Sequence, residues 1–133
     1  MPGNFFDTNI LVYLAVDPQR ASRVRELVDQ GGTISVQVLN ELANVARKKM
    51  GYSWQRTNLL LAGIRVLLPV IPVTVAIHEA GVVLAERYRF AVYDAMIVAA
   101  ALASGCDTLW SEDMQDGLVI DGRLTVINPF RAR

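Results

Sequence analysis

From Ala95 to Ala103 the chain carries no polar side chain, and Asp94 stands directly before that run. A helix that is apolar all round has no face to give to water, so it must lie inside a layered domain. The spacing predicts a helix over 93–104, closed by Gly105. A carboxylate at the mouth of such a helix must be paired, hydrogen-bonded or metal-bound, because charge is costly in apolar surroundings. A cap is the ordinary reading of Asp94, and the helix dipole would help hold the negative charge in that role or in a functional one.

The rest of the sequence supplies the layers. Short apolar strands are expected over 3–6, 33–36, 70–71, 107–110 and 124–127, and helical spacing over 10–14, 37–50, 54–67 and 75–89. A further helix opens at Pro18 and ends at Gly31-Gly32. Strands alternating with helices argue for an α/β three-layer sandwich, with a central parallel sheet of four to five strands in a single domain, 1–133. In such sheets functional groups gather beyond the carboxyl ends of the strands, at the point where strand order reverses. Asp7 follows the first strand and Asp113 follows the fourth, so adjacency of those strands would bring the two acids together.

Asp94 is one of four acids placed at the ends of apolar segments. Asp7 follows Phe5-Phe6, Glu41 sits at the rim of the apolar face of helix 37–50, and Asp113 lies in the loop after Thr108-Leu109-Trp110. Each has an ordinary reading alone: a helix cap for Asp7, a solvated glutamate for Glu41, an acidic turn for Asp113. In that turn Glu112 is expected to face solvent, and Asp116 is a second-rank candidate. Taken together the ordinary readings weaken. Two like charges ~4 Å apart repel by roughly 4 kcal/mol at an effective dielectric near 20. A converging quartet would threaten a domain whose stability is on the order of 5–15 kcal/mol. Either a cation neutralises it or some pKa values rise. Oxygen ligands without His or Cys select hard Mg2+ or Mn2+ over Zn2+. Such a centre can polarise a phosphoryl oxygen and activate water.

Composition narrows the classes. The chain is 133 residues long and 53% apolar, enough for a core without staples. Thirteen basic residues balance thirteen acidic ones, which argues against a coat of charge for nucleic acid. Setting aside the four acids leaves 13 basic against 9 acidic, and eleven of the basic residues are Arg, suited to phosphate. The single cysteine, Cys106, excludes an internal disulfide and fits a reducing cytoplasm. No apolar run reaches the roughly 18 residues of a spanning helix, and the N-terminus lacks the basic region of a secretory signal. His78 is the only histidine and cannot supply a zinc cluster. Tyr52 and Trp54 read as core or interface residues. Arg47-Lys48-Lys49, Arg87-Arg89 and Arg131-Arg133 read as solvated charge with the capacity to meet phosphate.

The segments Phe6-Asp7-Thr8-Asn9-Ile10-Leu11-Val12-Tyr13, Asn40-Glu41-Leu42, Tyr93-Asp94-Ala95-Met96-Ile97-Val98-Ala99-Ala100-Ala101 and Ser111-Glu112-Asp113 resemble the four acidic motifs of the PIN domain. The resemblance runs in order over nearly the whole chain and is strongest to the VapC-type toxins of toxin–antitoxin pairs. It implies a Mg2+- or Mn2+-dependent endoribonuclease, a homodimer held inactive by a cognate antitoxin protein. Carried over by position, Asp7, Asp94 and Asp113 would be metal ligands and Glu41 a ligand or water-orienting base. Thr8, Asn9 and Ser111 would be polar supports, with Asp116 a further possible ligand. One rival is a haloacid-dehalogenase-type phosphatase with Asp7 as nucleophile, although the acid it needs two residues on is Asn9. The other is a PIN-like module that binds RNA or protein without cutting.

Overall fold

A computed structural model of the chain describes residues 3–131, so Arg133 of the last basic pair lies outside the described residues. The element order is β1 (Asn4–Phe6), α1 (Thr8–Val16), α2 (Pro18–Asp29), β2 (Ile34–Ser35), α3 (Val36–Lys48), α4 (Trp54–Leu67), β3 (Val70–Ile71), α5 (Val75–Tyr88), α6 (Val92–Ala103), β4 (Thr108–Trp110), β5 (Val119–Ile120) and β6 (Leu124–Ile127).

Alternating strands and helices give the expected mostly parallel sheet. One sheet has the order β1-β4-β6-β5, in which β1, β4 and β6 run parallel and β5 returns antiparallel at the edge. A second, two-stranded piece pairs β2 with β3 in parallel. A bridge between Phe5 and Thr33 ties the pieces together, with Thr33 N donating to Asn4 O at 2.9 Å. The chain therefore leaves β1 toward β2 and β3 on one side, then crosses to β4 on the other. Strand order reverses at β1, and Asp7 stands at its carboxyl end.

β5 was not anticipated. It forms a hairpin with β6 through Asp121-Gly122, whose φ values of 51° and 66° are the left-handed pair that a tight hairpin turn requires. Arg123 N donates to Ile120 O at 3.0 Å to close it.

The apolar run behaves as its composition demands. In α6, Ala95 through Ala101 are all buried, and α6 lies flush against α5. Gly81 makes that approach possible, since a Cβ there would come within 2.7 Å of Met96 Cε. Helix and sheet residues close one core, including Phe5, Phe6, Ile10, Leu42, Ile97, Leu109 and Leu124. Cys106 is buried at its edge, and His78 is exposed on α5. Trp54, expected inside or at an interface, is 63% exposed. Among the described residues no helix is long and apolar enough to cross a membrane.

Candidate active site

The parallel register sets the floor of the site. Phe6 pairs with Trp110, which puts Asp7 opposite Ser111 just past both strand ends. Ser111 Oγ donates to Asp7 Oδ2 at 2.7 Å, Asn9 Nδ2 donates to the same oxygen at 3.1 Å, and Thr8 N donates to Oδ1 at 2.7 Å. Asp7 is thus the N-cap of α1 and a site residue at once. The direct partner of Asp7 across the sheet is Ser111 rather than Asp113, because Asp113 lies two residues further into the loop.

The second layer comes from α3. Glu41 is half-buried, with Oε1 accepting from Thr8 Oγ1 at 2.9 Å and Oε2 from Gln37 Nε2 at 3.0 Å. Thr8 therefore braces two acids, Asp7 through its backbone and Glu41 through its hydroxyl. Gln37 and Glu41 are one helical turn apart, which brings their side chains side by side. That spacing was available to sequence reasoning, which passed over Gln37.

Asp94 and Asp113 complete the set on different terms. Asp94 is not a cap: the N-cap of α6 is Ala91, and Asp94 lies in the first turn. No other described side chain donates to either carboxylate. Asp113 is exposed, while Asp94 is partly covered.

Asp7, Glu41, Asp94 and Asp113 all line one open cleft of about 440 Å3, together with Thr8, Asn9, Asn44 and Lys49. The electrostatics record the crowding. Burial, joined by the charges of Asp94 and Glu41, raises the Asp7 pKa from 3.8 to about 6 against the hydrogen bonds from Ser111 and Thr8. Asp94 is raised as well, first by burial and then by Glu41 and Asp113. The charge coupling thus runs from Asp7 through Glu41 and Asp94 to Asp113.

By donor chemistry the cleft suits a hard divalent cation, since it offers carboxylate oxygens and no sulfur or imidazole. Among the described residues no three Asp, Glu, His or Cys side chains stand close enough to form a ready-made cage. Asp116 is not among the cleft's residues. It accepts from Asn128 N at 2.8 Å, pairs with Arg131 at 3.9 Å, and lines a neighbouring cleft with Gln115 and Asn128.

Glu112, expected to face solvent, is instead the anchor of the acidic loop. Tyr13 Oη donates to its Oε1 at 2.6 Å and Arg20 Nη1 donates to its Oε2 at 3.1 Å. Arg20 also donates to Tyr13 Oη and lies 4.9 Å from the ring centres of both Tyr13 and Phe130. Glu112 N donates to Asn9 Oδ1 at 3.2 Å, so the anchor and Asp7 share Asn9. Contacts this far apart in sequence leave no local pattern, and none could have been read from the chain.

Comparison with known proteins bears on the fold and the family. No curated protein matches the sequence. Among solved structures, a toxin–antitoxin complex from Klebsiella pneumoniae is similar at 25% identity and a TM-score of 0.72, covering 98% of this chain and 100% of that one. The sarcin–ricin-loop-cleaving toxin VapC20 of Mycobacterium tuberculosis is similar at 21% identity and a TM-score of 0.66, over 84% and 90% of the two chains. VapBC2 of Rickettsia felis, bound to a DNA fragment from its promoter, has 20% identity and a TM-score of 0.69, over 92% and 96%. The PIN domain family matches residues 5–115, a span that holds all four cleft acids. The chain belongs to the PIN domain family.

Proposed function

We propose that the chain is a Mg2+- or Mn2+-dependent endoribonuclease, the toxin of a toxin–antitoxin pair, hydrolysing RNA phosphodiester bonds at the acidic cleft. The observation that carries this reading is the convergence of Asp7, Glu41, Asp94 and Asp113, from four separate segments, on one cleft. A purely structural role would not gather four acids where burial and mutual repulsion raise the pKa of two of them.

Asp7, Asp94 and Asp113 hold the cation in this reading. When bound, it polarises a phosphoryl oxygen and makes water a stronger nucleophile near neutral pH. Glu41, fixed by Thr8 and Gln37, orients the attacking water. Ser111, Asn9 and the Thr8 amide keep Asp7 in place as charge shifts in the transition state. A phosphatase that uses Asp7 as nucleophile fits less well. Asn9 stands where a second acid would be needed.

The antitoxin partner is supported by the similarity to the Klebsiella pneumoniae toxin–antitoxin complex over nearly the whole of both chains. Exposed apolar residues such as Leu59 and Val66 on α4 and Val75 and Val83 on α5 provide surface for a protein partner and for a homodimer. Cellular RNA as substrate puts the protein in the cytoplasm.

The test is cleavage of total RNA by the pure chain with Mg2+, Mn2+ or EDTA, wild type against Asp94→Asn. We expect cleavage only with metal, and a loss of at least about 100-fold in the variant, as for removal of a group that stabilises transition-state charge. Undiminished cleavage by Asp94→Asn would sink the mechanism. RNA binding by wild type without any metal-dependent cleavage would make the chain a non-catalytic binding module.

A further inference from the structure

We propose that the corner joining α3 to α4 is the ledge on which single-stranded RNA docks before entering the acidic cleft, with Trp54 as the platform for one of its bases. The identity of the ligand rests on the nuclease reading of the cleft; the ledge itself rests on its own residues.

A cleft lined by four carboxylates repels the phosphate backbone, so the cations that hold RNA must stand beside it. The chain as a whole has zero net charge, yet between Glu41 and Glu79 there is no acid at all and five basic residues: Arg47, Lys48, Lys49, Arg56 and Arg65. Four of these fall at the corner. Arg47, Lys48, Lys49 and Arg56, like Arg25, Arg65, Arg89 and Arg123 elsewhere, have no acidic partner among the described residues.

The corner arginines lie on aromatic rings instead. Arg47 sits 4.4 Å from the Trp54 ring centre and donates to Tyr52 O at 2.7 Å, and Arg56 sits 3.9 Å from the Tyr52 ring centre. Trp54 remains 63% exposed, an unusual setting for an indole, with Arg47 as the cation on its ring. Cations interleaved with open aromatic faces are the means by which proteins hold single strands, the charges tracking phosphates and the rings stacking on bases. Lys49 joins this corner to the site, because it also lines the acidic cleft beside Glu41 and Asn44. Glu41 and Lys49 are eight residues apart on one helix, about 12 Å at 1.5 Å per residue, so ledge and cleft can engage neighbouring nucleotides of one strand.

The test uses the full chain in EDTA with a fluorescein-labelled, mixed-sequence single-stranded RNA, read by anisotropy and by tryptophan emission. Wild type is expected to bind with quenching of Trp54. Trp54→Ala should lose the quenching and bind roughly 10-fold more weakly, while Trp54→Phe keeps most of the affinity. Lys49→Gln with Arg56→Gln should lower the slope of log affinity against log salt by about 1.4, two single-strand phosphate contacts. Unchanged affinity and salt slope in these variants, or no RNA binding by wild type, would overturn the ledge. So would equal or stronger quenching by poly-glutamate, which would make it a seat for an acidic protein segment. Cleavage with Mn2+, measured alongside, separates the two readings. Trp54-dependent binding without cleavage keeps the ledge and removes the nuclease, and cleavage indifferent to the variants does the reverse.

Discussion

The two walls of the acidic cleft are held in different ways. On the wall made by the ends of β1 and β4, Asp7 is 3% exposed and takes hydrogen bonds from Thr8, Asn9 and Ser111. On the wall made by α6 and the loop after β4, Asp94 and Asp113 reach into the cleft without a donor from any other described side chain. The first wall is specified by strand register and stands without a ligand. The second is a surplus of charge that no salt bridge among the described residues offsets. Pre-organisation is thus confined to the half of the site that the sheet can build.

The largest expected effect tests whether the braced wall is nonetheless under strain. Asp7 has a folded pKa of about 6, above its ordinary 3.8, so the folded state binds its proton more tightly. That stabilisation is complete below the unfolded pKa and is lost as pH rises through about 6. The shift from 3.8 to about 6 corresponds to about 3 kcal/mol at 1.36 kcal/mol per pH unit. In urea unfolding of metal-free protein from about pH 4 to about pH 8, wild type should lose up to about that much relative to Asp7→Asn. Asp94 shifts in the same direction, and its greater exposure makes its share smaller. Near pH 8 we expect Asp7→Asn to be as stable as wild type or more so, relief of charge outweighing the altered acceptors. A stability difference that stays flat across this range would show that Asp7 is not strained.

Ser111→Ala addresses the brace itself. Ser111 is fully buried, and its hydrogen bond holds the Asp7 pKa down more than that from the Thr8 amide does. Its loss should destabilise the metal-free protein by about 1–3 kcal/mol near pH 8, the range for leaving a buried polar group unsatisfied. Below about pH 5 the effect should shrink, because a protonated Asp7 needs the donor less. An equal loss at both pH values would mean that Ser111 acts through packing alone.

The same division explains what the sequence could and could not disclose. Helix α4, strand β3 and strand β6 lie where periodicity and flanking breakers put them, because their signals are local. The burial of α6 followed from its composition, and Asp7, Glu41, Asp94 and Asp113 could be named because a charge at the edge of an apolar segment stands out. The Asp121-Gly122 turn was legible as well, a left-handed pair between apolar dipeptides, and only its short strand hid it. The ordinary alternative for Asp94, a cap, does not hold, because α6 opens at Val92 and Ala91 takes that place. The anchoring of Glu112 was not legible, since Tyr13 and Arg20 meet it only after the sheet has formed.

That anchor carries the smallest expected effect. Arg20 and Glu112 are partly exposed, and an ion pair of that kind contributes about 0.2–1 kcal/mol. Glu112→Gln should therefore change stability by less than about 1 kcal/mol, as measured by urea unfolding. Its influence on the unbraced wall should be larger than its energy suggests. Glu112 precedes Asp113 directly, and its backbone fixes the Asn9 amide that donates to Asp7. Loosening the loop would leave Asp7 held by Ser111 and Thr8 while Asp113 samples more positions. We expect cleavage by Glu112→Gln to lose a few-fold in kcat with KM little changed, since positioning acts on the transition state more than on binding. A stability loss above about 2 kcal/mol would make the anchor part of the core, and would erase the contrast between a wall the fold builds and one it only tethers.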